Sequence, residues 1–104
     1  MNKPETYPVK ISVENRQVKL EPVPRLFVDR GDTIEWTCDF PFAIHFPGIT
    51  PLGKGRIRSK EGKTISTAVR NDAQPGCYKY FVAVYFDGNI WTDDPDFIVK
   101  PPKR

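Results

Sequence analysis

The chain has 104 residues, 38% of them hydrophobic and 28% charged, which suits one compact domain and excludes tandem arrays and two-domain enzymes. Sixteen basic against thirteen acidic side chains leave a net charge of +3, far short of the positive field of a nucleic-acid binder. No apolar run approaches the ~18 residues of a membrane-spanning helix, so membrane insertion is not expected either. Eleven prolines and seven glycines interrupt the chain too often for helices, because a proline inside a helix costs about 3 kcal/mol. The composition predicts an all-β protein of many short strands.

Val9-Lys10-Ile11-Ser12-Val13 alternates apolar and polar residues, the period of a half-buried strand, and Val18 and Leu20 resume it after a turn at Asn15-Arg16. Pro22 and Pro24 confine any pairing there to an edge or a bulge. Leu26-Phe27-Val28 leads into a turn at Asp29-Arg30-Gly31-Asp32, where Gly31 takes positive φ cheaply. Thr33 to Cys38 is the cleanest strand, with Ile34, Trp36 and Cys38 on its inward face. A short strand at Ala43–Phe46 follows, then a loop over 47–55 and two more strands at 56–58 and 64–69. Cys77 to Phe86 is one long strand of β-branched and aromatic residues, Asp87-Gly88 a strong hairpin turn, and Asp96–Val99 the closing strand. The in-facing positions predict a core led by Ile11, Val13, Leu20, Phe27, Ile34, Trp36, Ile65, Tyr78, Tyr80, Val82 and Ile98. A two-sheet Greek-key β-sandwich of about eight strands accommodates this many short segments around one core, with residues 9–100 as the body of a single domain spanning 1–104.

Two stretches resemble the cupredoxin, or plastocyanin-like, family. In the front half these are Leu20-Glu21-Pro22, Leu26-Phe27-Val28 and Gly31-Asp32-Thr33-Ile34-Glu35-Trp36; in the back half, Gly76-Cys77-Tyr78-Lys79-Tyr80-Phe81-Val82 and Phe97-Ile98-Val99. The resemblance spans nearly the whole chain and implies a cupredoxin-like fold. It does not extend to the copper ligands. A blue-copper site needs two imidazoles, a thiolate and a weak axial ligand. The matching positions here are Phe42, Val82, Tyr85 and Ile90, none able to hold copper in that way. The resemblance therefore implies a metal-free member that carries no electrons and has no cofactor. In such a fold Cys38 and Cys77 lie at opposite poles, too far apart to bridge.

The remaining candidates each have a plain reading beside a functional one. His45 is the only histidine, three residues past the ligand position, and is expected on a strand surface rather than on a metal. Asp93, Asp94 and Asp96 suit calcium or glycoside hydrolysis in principle, and equally a solvated turn. Lys54, Arg56, Arg58 and Lys60, with Lys63, form a basic run. It is either a patch for an anionic partner or a guard that keeps an edge strand from pairing with other chains. Tyr85, Phe86, Trp91 and Phe42 gather at the vacated copper pole, as a plug or as a binding surface. No nucleophile-base arrangement is apparent, so no catalytic residue is assigned.

These readings converge on a non-enzymatic binding or accessory module that recognises a protein partner. The alternative is a carbohydrate-binding module built on Trp91. The segment from Tyr78 through Asp87-Gly88 to Trp91 and Asp94-Pro95 is similar to the starch- and glycogen-binding modules, although only over about residues 76–96. Nucleic acid is not expected as a partner. The opening residues Met1 to Thr6 hold no hydrophobic leader, which favours a cytoplasmic location, or a periplasmic or secreted one if a leader has been removed.

Overall fold

A computed structural model of the chain describes residues 4–22, 25–59 and 64–101. The regular elements among them are eleven strands and no helix. In chain order they are β1 (Thr6–Glu14), β2 (Gln17–Glu21), β3 (Leu26–Val28), β4 (Thr33–Cys38), β5 (Phe42–His45), β6 (Arg56–Ser59), β7 (Ile65–Ala68), β8 (Gly76–Lys79), β9 (Phe81–Phe86), β10 (Asn89–Asp93) and β11 (Asp96–Val99). They build three sheets, β2-β1-β4-β7 (sheet I), β10-β9-β5-β6 (sheet II) and β3-β11-β8 (sheet III), in a sandwich-like arrangement around one core. The β1–β4 and β3–β11 pairs are parallel and the others antiparallel.

The third sheet and the higher strand count share one cause. The run Cys77–Phe86 is not one strand but two, β8 and β9, divided at Tyr80, and the returning chain divides at Asp94-Pro95. The register does not slip across this break: Val82 faces Asp93 in sheet II, and Lys79 faces Asp96 in sheet III. Tyr80 N–H donates to the Pro95 carbonyl at 3.2 Å. Proline has no N–H to return the bond, so the ladder is half-broken at this pair, and one long hairpin passes from one sheet into the next.

Turn chemistry sets the other registers. Asp87-Gly88, with φ of 53° and 74°, and Asn15-Arg16, with 50° and 63°, are two-residue hairpin turns with both residues left-handed, which matches the twist of the flanking strands. At Gly31 (φ 86°) the backbone N–H donates to Val69 O at 3.0 Å, and a Cβ would stand 3.3 Å from the Asn71 side-chain oxygen. Beside it, Asp32 is 2% exposed; its carboxylate accepts the Glu5 N–H at 2.9 Å and the Asp29 N–H at 2.8 Å. This buried carboxylate ties the start of β1 to the turn before β4.

The core centres on an aromatic group. Phe46 stacks on Tyr80 at 5.0 Å, Phe97 meets both edge-on at 5.4 and 6.0 Å, and Trp36 lies 5.9 Å from Tyr80. Ile11, Leu20, Ile34, Trp36, Tyr80 and Val82 are buried as expected, while Val13, Ile65 and Tyr78 are half-buried at the margin. Phe27 and Ile98 are not core residues. They face each other across the parallel β3–β11 pair, with Phe27 52% exposed, and Leu26, Val28, Phe97 and Val99 point inward instead. β3 is apolar throughout and β11 at every position but Asp96, so their composition carries no alternation to fix which face is buried.

Candidate functional site

Two places concentrate the expected site residues, one on the outer face of sheet II and one between hairpin tips of sheets I and II. Along β9 the inward positions Val82 and Val84 are buried, which turns Phe81, Ala83 and Tyr85 to the outside. Register extends this outer face in rows. Ile90 lies opposite Tyr85, Ala43 opposite both Ala83 and Arg58, and His45 opposite both Phe81 and Arg56. Phe81, Tyr85 and Ile90 are 43%, 55% and 71% exposed, so three large apolar side chains share one side of one sheet. Beside Tyr85 and Ile90 runs a groove of about 460 Å³. The two alanines floor it, Pro41, Tyr85 and Ile90 wall it, and Arg58 stands at its far end. Tyr85 N–H donates to Pro41 O at 2.9 Å, which holds the Tyr85 wall against β5.

The charge on this face is one-sided. Arg56 and Arg58 are exposed on β6, and neither has an ion-pair partner among the described residues. The third basic residue, Lys54, is exposed in the loop before β6; Lys60 and Lys63 lie outside the described residues. His45 sits half-buried on the strand surface with its ring 6.4 Å from Phe81.

The second place is a cleft of about 600 Å³ between the two hairpin tips, lined by Asn15 and Arg16 on one side and Asp87, Asn89 and Trp91 on the other. Trp91 is half-buried, and its indole N–H donates to Phe86 O at 3.0 Å. Phe86 is half-buried too, its ring 4.6 Å from Phe40. The four aromatic candidates therefore do not form one cluster. Tyr85 stands on the outer face, Trp91 and Phe86 near the cleft, and Phe42 is 3% exposed, inside the core beneath the groove. Phe42 lines the groove from beneath, almost wholly covered.

The aspartates separate in the same way. The Asp93 carboxylate accepts the Asp94 N–H at 2.9 Å, while Asp96 begins β11 and pairs with Lys79 at 2.9 Å and Arg25 at 3.1 Å. Lys79 first and Arg25 second hold its carboxyl below the ordinary carboxylate range. Among the described residues no group of three or more His, Cys, Asp or Glu side chains is placed to hold a metal ion. Phe81 and the Ala43–Ala83 floor are the parts of the outer face that composition alone did not single out. Their signal is the large-small-large order Phe81, Ala83, Tyr85 at alternate positions. No protein-family model matches this chain, and no match is found among curated proteins.

Proposed function

We propose that this chain is a non-enzymatic, metal-free recognition module with a cupredoxin-like Greek-key topology, and that it meets a protein partner through the outer face of sheet II. One observation carries the reading: Phe81, Tyr85 and Ile90 stand exposed on one face of a sheet whose other side is already committed to the core, and Tyr85 and Ile90 flank an alanine-floored groove there. Large apolar side chains gathered on one face mark interaction surfaces more often than scattered ones do. Small residues between large ones make a relief into which a partner side chain fits, and an arginine at the rim adds orientation.

The carbohydrate reading draws support from the cleft, where Trp91 offers an aromatic wall and Asn15, Arg16, Asp87 and Asn89 offer polar planar groups. It ranks second because the Trp91 ring is half-buried and its N–H already engaged, whereas stacking on a sugar needs a free ring face.

A photo-crosslinking amino acid placed at Ile90 tests the first reading against the same probe at Lys19, on sheet I. Selective capture of a protein at Ile90, abolished by Tyr85→Ser, is the expected result. Equal yields at the two positions would overturn it. Binding of a glucan that perturbs the Trp91 fluorescence and survives Tyr85→Ser would favour the carbohydrate reading instead.

A further inference from the structure

The edge of sheet II beside this face has a defined hydrogen-bonding polarity. Phe46 N–H donates to Gly55 O at 2.8 Å, and this pair continues the β5–β6 register in which His45 faces Arg56. In an antiparallel ladder, pairs that exchange backbone bonds alternate with pairs that do not. The Ile44–Ile57 pair therefore bonds like Phe46–Gly55, while His45–Arg56 and Ala43–Arg58 do not. The N–H and C=O groups of Arg56 and Arg58 consequently point away from β5, toward the side of β6 on which no strand of the described residues is hydrogen-bonded. Among the described residues no backbone group bonds to them.

We infer that β6 is a docking edge for an extended peptide with an acidic-apolar-acidic pattern, which adds to sheet II as an antiparallel strand. This inference rests on the recognition-module reading and names its partner. Two peptide residues directly opposite Arg56 and Arg58 would complete four backbone hydrogen bonds. Their side chains fall on the same outer face as the two unpaired guanidiniums, where carboxylates make charge-assisted contacts. The residue between them falls opposite Ile57, which is half-buried, so an apolar side chain suits that position. Two copies of the chain pairing through β6 would instead set guanidinium against guanidinium. The same arginines that admit an acidic strand keep the edge from self-association.

The test uses the isotope-labelled protein and synthetic nonapeptides carrying Glu-Val-Glu, Lys-Val-Lys, or Glu-Val-Glu N-methylated at both glutamates. The first should shift the amides of Arg56 to Ser59 and slow hydrogen exchange at Arg56 and Arg58, whose N–H groups face the added strand, and each of the other two should bind about tenfold more weakly or worse. The double variant Arg56→Glu/Arg58→Glu should invert the preference between the charged peptides. Because the N-methylated peptide probes the wild-type protein, a poorly folded variant leaves the inference testable. Binding of Glu-Val-Glu that N-methylation does not weaken, or no binding at all, would overturn it. If selective crosslinking at Ile90 persists while no peptide binds at β6, the edge inference fails and the recognition-face reading stands; if both are lost, the reading itself fails.

Discussion

Tyr80 and Pro95 face each other at the one point where a long hairpin changes sheets, joined by a single backbone hydrogen bond of 3.2 Å where a full ladder would have two. Both side chains are buried, so the inward face continues through the bend while the hydrogen-bond ladder falters. Tyr80 then serves the core of all the sheets at once, in contact with Trp36, Phe46 and Phe97.

That burial has a consequence for pH. Desolvation, opposed by the neighbouring Trp36 indole, pushes the Tyr80 hydroxyl up to about 12. An unfolded tyrosine ionises near pH ~10. Between these values the unfolded chain loses the proton that the folded chain keeps, so stability falls as pH rises, by roughly 2–3 kcal/mol over the window. Among the described residues, neither the Tyr80 hydroxyl nor the Trp36 N–H has a regular hydrogen-bond partner. Tyr80→Phe should therefore leave stability at pH 7 unchanged or slightly higher, and should flatten the alkaline loss. Urea titrations of both proteins at pH 7 and 11 check this; an equally steep alkaline loss in the variant contradicts it.

Trp36 is wholly buried at the centre of β4. Trp36→Ala should cost about 3–5 kcal/mol, a large share of the ~5–15 kcal/mol that holds a domain of this size together. Thermal unfolding followed by circular dichroism reads the effect. A variant melting within a few degrees of the parent would mean that the cavity collapses without loss.

Much of the fold is legible in the residues, and the failures have definite causes. Ile34 and Trp36 stand out because Thr33, Glu35 and Thr37 mark the other face of their strand. Phe27 and Ile98 mislead because their neighbours are as apolar as they are, and only the pairing of β3 with β11 decides which side faces in. The division at Tyr80 is hidden for a different reason: Pro95, which causes it, lies fifteen residues away and acts across a strand pair. On the outer face, Tyr85 and Arg58 are recognisable singly, but their joining through Ala43 and Ala83 depends on two strand registers that no local pattern encodes.

Asp32 accepts two backbone N–H groups from segments 27 residues and three residues away. Asp32→Ala strands both donors and should cost about 1–3 kcal/mol. Asp32→Asn keeps only one acceptor oxygen and should fall between. Hydrogen exchange at Glu5 and Asp29 localises the effect: both amides should exchange faster in Asp32→Ala. Unchanged protection there would show that the carboxylate does not fasten the turn.

The two thiols should differ sharply in reactivity. Cys38 is 1% exposed, and burial pushes its thiol above the ordinary range, while Cys77 is exposed on β8, at the edge of sheet III. Since the thiolate is the reactive form, a disulfide reagent should modify Cys77 promptly in the native protein and Cys38 only on unfolding. One fast and one slow equivalent in a thiol titration is the expected trace. Two fast equivalents would place Cys38 at the surface.

The same separation governs copper. His45 lies on the outer face of sheet II, Cys38 on the inner face of sheet I, and Cys77 on the outside of sheet III, so the three soft or imidazole donors of the described residues belong to three different sheets. Phe42, Val82, Tyr85 and Ile90, which the proposed cupredoxin-like topology would set at the ligand positions, offer no thiolate and no imidazole. A blue-copper band requires a thiolate and two imidazoles on one metal ion. Cu(II) titration should therefore produce no intense visible charge-transfer absorption, and replacing Cys38 or Cys77 by serine should leave the spectrum unaltered. A strong band that vanishes with Cys38→Ser would mean that β4 opens to bring its thiol to a metal, and the proposal of metal-free recognition would fall with it.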